Sequence, residues 1–528
     1  MSLPSWLRRP PRWLCIALLL LAIELVYAFM ISGGSLWHWP TWSYIYDFQA
    51  QGFRSGHLYL PRTPDPRVLA ASDPWDPKLR PLWFWDASLY NGRYYSYWGP
   101  LPALALVLVE PLFGAASPIG APGLGDQYAC FALFSLQLVA GALLIDRMAL
   151  RAFGDVSLAR VLGAIALFAF TSPTPWMVAR PAIYEGAIVG GAAFLLLGIV
   201  FAFDAISAEP DSSAAGRALW LAGLSWALGL GCRVTVGPPA ALLIAGTALL
   251  LPRPQPSTKR RKTPPNLSPW PTRARAAARM AAPVGASALL LLGYNRLRFD
   301  SWLEFGTHWQ LSLMRVHTSW SYVFPNVYSY LLRPIWVTCH FPFLVGRRIP
   351  EPSWFPPGYA LPEGYWTTEH VVGMLFVAPW ILLAIPALAL TARSALAAAR
   401  AEGGLVSLEP RARAFLFCGV AFSLALVNGV PMIGQFIAVM RYLGDVVGAL
   451  ALLGIFAAWA LRGRFAELPF VHRSLAAAVG LLAAVTIAAG FLFGLQGPED
   501  TLARLSPATF LRLDHTLSFC PADPDPER

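Results

Sequence analysis

The chain has 528 residues, of which 56% are hydrophobic and only 13% charged, and its mean hydropathy is +0.52. Soluble globular proteins carry about 25% charged residues, so this composition excludes an ordinary soluble enzyme and describes a polytopic chain whose solvent is largely lipid. The formal net charge of +11 does not point to nucleic acid, because the basic residues sit in short tracts beside apolar runs, as cytoplasmic loops do, and no basic patch lies on a soluble domain.

The first apolar run, 13–31, follows Arg8, Arg9 and Arg12. It is longer than a signal-peptide core and has no clear A-x-A cleavage site, so it reads as a retained signal-anchor helix. The positive-inside rule puts the N-terminus in the cytoplasm and the next stretch outside.

That next stretch, 40–100, opens with PTWSYIYDFQAQGFRSGHLYL and closes with WFWDASLYNGRYYSYWGP. A helix over 41–55 lying in the interface would be anchored by Trp42, Tyr44 and Tyr46, with Asp47, Gln51 and Arg54 on one face. Asp47 reads there either as a general base for a hydroxyl acceptor or as a solvated interfacial carboxylate. Asp86 stands in a denser group with Tyr90, Arg93, Tyr94, Tyr95 and Trp98. A guanidinium such as that of Arg93 can hold a phosphate oxygen, and the rings offer faces to a sugar or a prenyl chain. An aromatic belt at the headgroups would also collect Trp and Tyr, but it needs no Asp, Asn, Gly and Arg interleaved so closely.

The apolar run 101–113 decides the topology. A span needs about 20 residues, and this run is shorter and contains Pro102, Glu110 and Pro111. If it crossed, Arg147, Arg151, Arg160 and the basic 252–279 loop would all lie outside. Laid flat in the outer interface, it leaves them cytoplasmic. Further spans are then expected at 127–146, 158–178, 183–203, 217–233, 235–251, 280–295, 371–392, 413–431, 440–461 and 475–495, which with the first makes about eleven. The chain therefore reads as one all-α transmembrane domain. It has a first outer loop at 32–126, a basic cytoplasmic loop at 252–279, a second outer loop at 296–370 and an outer tail at 496–528.

Other charged groups lie near the outer ends of spans, where charge is expensive and often functional. ARPAIYEG carries Arg180 and Glu185, which could bind substrate or simply pair with each other. Arg441, in RYLGDVV, opens a late span and could grip a lipid phosphate or pair with Asp445 one turn on. The second outer loop offers Asn295, Arg298, Glu304, His308, Arg333 and His340. Cys339 and Cys520 lie outside the spans, either as two thiols or as a disulfide on an oxidising side. No CxxC, HExxH, GxSxG or P-loop occurs. Clustered outer carboxylates that would argue for a divalent metal are not visible, so no cofactor is expected.

The layout of a signal-anchor helix, a long outer loop with flat helices, about eleven spans and a second large outer loop resembles the GT-C superfamily of membrane glycosyltransferases. The protein O-mannosyltransferases and bacterial lipopolysaccharide sugar transferases are the most similar in layout. AQGFRSGHLYL, DASLYNGRYYSYWGPLPAL, ARPAIYEGA, YNRLRFDSWLEFG and RYLGDVV resemble recurring blocks of bacterial members.

The resemblance implies an inner-membrane enzyme that moves a sugar, with inversion, from a polyprenyl-phosphate donor to a glycan, lipid or protein acceptor on the outer face. The family's acidic pair just after the first span would fall at Trp42 and Ser43, which are not acids. Asp47 stands about one helical turn away, and Asp86 is the other candidate base. Arg93 and Arg441 are the expected phosphate ligands, the rings of 83–98 the sugar and prenyl platform, and Glu185 a supporting polar group. The rival readings are a catalytically inactive protein of the same fold that binds a lipid-linked sugar, and a lipid transporter or flippase. The second of these needs mid-membrane polar groups that spans of Ala, Leu, Val and Gly do not supply.

Overall fold

The computed structural model describes residues 10–113, 123–154, 156–252, 270–312, 315–346, 355–366 and 371–520. Arg8, Arg9, Arg253 and the basic run 259–262, which carry part of the sidedness argument, lie outside the described residues.

Among the described residues, fifteen helices of ten or more residues account for most of the structure. In chain order they are α1 Arg12–Ile31, α2 Ile45–Arg54, α3 Leu101–Phe113, α4 Asp126–Arg147, α5 Leu158–Phe170, α6 Ile183–Ser207, α7 Ser213–Cys232 and α8 Gly237–Leu250. There follow α9 Trp270–Phe299, α10 Val323–Leu332, α11 Ala384–Arg400, α12 Pro410–Ala425, α13 Gly444–Arg464, α14 Pro469–Gln496 and α15 Pro507–Leu517. Among the described residues, eight of them, some extended by adjoining turns, are long and apolar enough to cross a membrane: α1, α4, α6, α9, α11, α12, α13 and α14. The chain is an integral, predominantly helical membrane protein. Helices α5, α7 and α8 stand at the other three expected spans, α5 and α8 being short.

Two span limits need correction. The run 158–178 is helical only to Phe170, because the rings of Pro173 and Pro175 interrupt it and a short turn, Thr174–Val178, follows. The span expected at 371–392 begins at Pro379 and continues to Arg400, where an Ala-rich sequence extends the helix beyond Arg393.

The centre of the bundle is α6 and α13. Both are apolar on every face and buried on nearly every face, with α6 packed against α4, α7 and α12, and α13 against α6 and α12. A second, smaller core belongs to the first outer loop and contains Tyr46, Leu60, Val68, Trp83, Leu89 and Tyr94. Leu311 from the second outer loop completes it, so the two loops fold as one layer.

Within that layer α3 lies against α2 and the end of α7. Strands β1 Ser88–Tyr90 and β2 Arg93–Tyr95 form an antiparallel hairpin closed by the Tyr90–Arg93 pair. Asn91 and Gly92 make its turn, both at positive φ (47° and 71°), the primed geometry that matches the twist of the strands. In the second loop β3 Trp336–Val337 pairs with β4 Leu344–Val345. Of the two readings open for the outer cysteines, the structure takes the disulfide: Cys339 is bonded to Cys520, with Cα atoms 5.8 Å apart, tying the second loop to the tail beyond α15.

Candidate functional site

Where the two loops meet the ends of the bundle they enclose a cavity of about 500 Å³. The first loop contributes Trp85, Asp86, Tyr97 and Trp98, and the second loop Phe305, Gln310 and Trp366. Tyr184 comes from the start of α6, Arg233 from the junction of α7 and α8, Asn428 and Arg441 from the chain between α12 and α13, and Asp445 from the first turn of α13. Gly99 sets how closely the first loop approaches α7, since an added Cβ would overlap the carbonyl oxygens of Gly231 and Cys232.

Asp86 is held by both loops. It sits at φ 62° just before β1, and its backbone N–H donates to the carbonyl of Leu311 at 3.1 Å. Gln310 Nε2 donates to Asp86 Oδ1 at 2.7 Å and to the Tyr97 hydroxyl at 3.1 Å. Gln310 is itself fixed, its carbonyl accepting from Trp75 Nε1 at 3.1 Å. Burial pushes the Asp86 carboxyl up to about 6, against the opposing pull of Gln310 and the positive field of Arg441. A carboxylate poised there is ionised at neutral pH and still basic enough to take a proton.

Two guanidinium groups face the same space. Arg233 Nη2 donates to Asp445 Oδ2 at 2.7 Å, and Asn428 Nδ2 donates to Asp445 Oδ1 at 3.1 Å. Asp445 thus pairs with Arg233 from another helix and not with Arg441 one turn away. Arg441 lies over the ring of Tyr184, 4.5 Å from its centroid. Around these charges Tyr97 stacks on Trp98 at 3.8 Å between centroids, and Trp98 meets Tyr184 edge-on at 5.3 Å. Cations set among ring faces suit a phosphorylated sugar, whose C–H faces stack while its phosphate is gripped.

The structure gathers three of the ten expected site residues, Asp86, Trp98 and Arg441, into this cavity. The hairpin directs four others elsewhere. Arg93 lies over the ring of Tyr59 at 4.5 Å, and Tyr94 is buried in the loop core. Tyr95 packs on Phe299, and the Tyr90 hydroxyl donates to Asp300 Oδ2 at 3.3 Å. Arg180 and Glu185 do not pair with each other. Arg180 reaches Glu499 at 3.8 Å, and Glu185 caps its own helix by accepting from Ala182 N at 3.2 Å.

Asp47 is fully buried away from the cavity lining. Its Oδ1 accepts from Gly125 N at 2.9 Å, and the carboxyls of Glu110 on α3 and Asp126 on α4 are its neighbours. Asp126 accepts from Ser43 Oγ and from Ile45 N and Tyr46 N at 3.2 and 3.1 Å, so an acid from α4 caps α2 beside the position where the family's acid was expected. Glu110 pairs with Arg54. Burial pushes Asp47 and Glu110 each up to about 7.

Both groups bind protons more tightly folded than unfolded. Their contribution is therefore fully present below about 4 and is lost as pH rises through about 7. Thermal unfolding of the purified protein should show Tm falling between about pH 4 and 7, and Asp47→Asn should flatten that fall. An unchanged slope in the variant would contradict this reading.

Sequence reasoning missed Arg233, Gln310 and Asn428, while Tyr97 fell within the ring cluster 83–98. Arg233 ends the expected span 217–233, a charge at a span end that could have been flagged. Gln310 carries no local signal. Among the described residues, the one grouping of side chains close enough to hold a metal is Cys339, His340 and Cys520, whose two thiols are in the disulfide.

No protein-family model matches the chain, and no curated protein matches it. It is similar to several solved structures. One is the oligosaccharyltransferase of Archaeoglobus fulgidus, at 12% identity and a TM-score of 0.45, covering 99% of this chain and 62% of that one. Another is ArnT from Cupriavidus metallidurans, at 14% identity and a TM-score of 0.44, covering 95% and 79%. A second ArnT structure, bound to undecaprenyl phosphate, has a TM-score of 0.39 at 14% identity, again covering 95% and 79%. The chain thus spans less than two thirds of the length of the oligosaccharyltransferase.

Proposed function

We propose that this protein is a glycosyltransferase that moves a sugar from a polyprenyl-phosphate donor to an acceptor hydroxyl on the outer face of the inner membrane. The observation that carries the reading is that Asp86, Arg233 and Arg441 share one aromatic-walled cavity at the ends of the bundle. The Cys339–Cys520 disulfide supports the sidedness, since disulfides persist in oxidising compartments.

In this mechanism Arg233 and Arg441 hold the donor phosphate, and Trp98, Tyr97 and Tyr184 seat the sugar. Asp86 takes the proton of the acceptor hydroxyl as its oxygen bonds to the anomeric carbon. The bond from that carbon to the phosphate oxygen breaks, and the electron pair leaves with the polyprenyl phosphate, whose new charge the two guanidinium groups stabilise. A single displacement inverts the anomeric centre. Holding both partners in line supplies much of the acceleration.

The test is transfer of radiolabelled sugar from polyprenyl-phosphate donors by protein in liposomes. Below about 6 Asp86 is protonated and cannot accept a proton, so transfer should rise with pH through that value. Gln310→Leu removes a hydrogen bond that favours the ionised form and should move the rise upward by about one pH unit. Transfer that is flat from pH 5 to 7, or unmoved by Gln310→Leu, would contradict the assignment of Asp86 as the base.

A further inference from the structure

Helix α10 is amphipathic in the sense opposite to that of a water-facing helix. Its inward stripe is polar: Asn326 and Ser329 are 0% and 1% exposed, with Tyr330 beside them. Its outward stripe is apolar, with Phe324, Val327 and Leu331 at 49%, 37% and 37% exposure. Both sets repeat at helical spacing, so these are two faces of one helix.

The polar stripe has a clear occupation. Asn326 Nδ2 donates to the carbonyls of Ile433 at 3.0 Å and Gln435 at 2.7 Å, and its Oδ1 accepts from the Tyr365 hydroxyl at 2.8 Å. The Tyr330 hydroxyl accepts from Val439 N at 3.1 Å. The backbone partners belong to the segment 432–439, much of which walls the cavity. The inner face of α10 therefore props that wall, and its outer face meets a medium that takes no polar contact from it.

What that medium is follows from the neighbours of α10. The helix packs against the turns Val430–Ile433 and Met374–Val377. The first is the end of the membrane-crossing helix Pro410–Ile433, and the second leads directly into the crossing helix that starts at Pro379. Contact at the second is at backbone distance: a Cβ at Gly373 would lie 2.5 Å from Leu331 O and 2.7 Å from Arg333 N. Val430, Phe376 and Ile385 on these neighbours are exposed apolar side chains, as on any helix that faces lipid. The outward face of α10 continues that surface. Trp320 before it and Trp336 after it, both exposed, stand where interfacial indoles anchor a helix at the headgroups.

The Phe324 ring meets that of Tyr359 at 4.8 Å between centroids, which leaves Val327 and Leu331 as the open part of the outward face. We infer that α10 is sunk in the membrane leaflet on the cavity side, with phospholipid acyl chains covering Val327 and Leu331. The cavity wall 432–439 is thereby braced between the cavity and lipid. This inference does not depend on sugar transfer.

The test places the photoreactive residue p-benzoylphenylalanine at Val327, and separately at Leu331, in the full chain in native membranes. The same substitution at Ile385, on a crossing helix, is the reference. After illumination, intact-mass measurement should show phospholipid-sized adducts at both α10 positions, within about threefold of the Ile385 yield. A cross-link to another protein or to a second copy of the chain would overturn the inference. So would the absence of adducts at both positions when Ile385 gives them, because that face would then meet water.

Discussion

Asp86→Asn is expected to lower sugar transfer by about 10²–10⁴-fold, the usual contribution of a positioned general base, while donor affinity changes little. The substitution keeps the shape of the side chain and the hydrogen bond that Gln310 Nε2 offers to Oδ1, so the cavity should stay assembled. It removes only the capacity to take a proton. Asp47→Asn is the internal comparison. Asp47 is buried beside Glu110 and Asp126 and does not line the cavity, so its loss should alter stability against pH and leave transfer nearly unchanged. A variant Asp86→Asn that transfers at the wild-type rate would remove the base from the mechanism. Loss of transfer in Asp47→Asn, with folding intact, would move the chemistry to the other acid cluster.

Arg233→Ala should have the second large effect, and it should appear in two separate measurements. Donor binding should weaken, because one of two cations facing the phosphate is gone. Stability should fall by about 3–5 kcal/mol, the cost of leaving a buried ion-pair partner uncompensated. Asp445, with a side chain 2% exposed, loses the guanidinium that lies 2.7 Å from it. Adding Asp445→Asn to Arg233→Ala should recover most of the thermal stability without recovering donor affinity. If the double variant bound donor like the wild type, Arg233 would be a structural ion-pair partner only.

The helical architecture was legible in the sequence because lipid imposes a long apolar run on every crossing helix, and such runs are hard to mistake. The limits that slipped lie at prolines: Pro173 and Pro175 end one helix early, and Pro379 delays another. The site was legible where one short stretch concentrated unlike chemistries, as around Asp86 and Trp98. It was illegible where the cavity draws single residues from distant segments. Arg233 and Asp445 are 212 positions apart, and Gln310 and Asp86 are 224 apart. No local pattern announces such pairs.

The Tyr90 to Tyr95 cluster teaches the opposite lesson. Its density of rings looked like a binding platform, but Asn91-Gly92 is a hairpin signal, and a hairpin alternates its side chains between faces. Here that alternation sends Tyr94 into the loop core and Arg93 onto Tyr59.

The most direct test of the central claim is a cryo-electron microscopy structure of the protein in lipid nanodiscs with undecaprenyl phosphate, a probe of the proposed polyprenyl-phosphate class. The expected result is phosphate density between Arg233 and Arg441, within hydrogen-bonding distance of both and on the same side of the cavity as Asp86. Phosphate bound elsewhere, for instance at Arg93 on the outer hairpin, with the cavity between Arg233 and Arg441 empty of lipid, would contradict it.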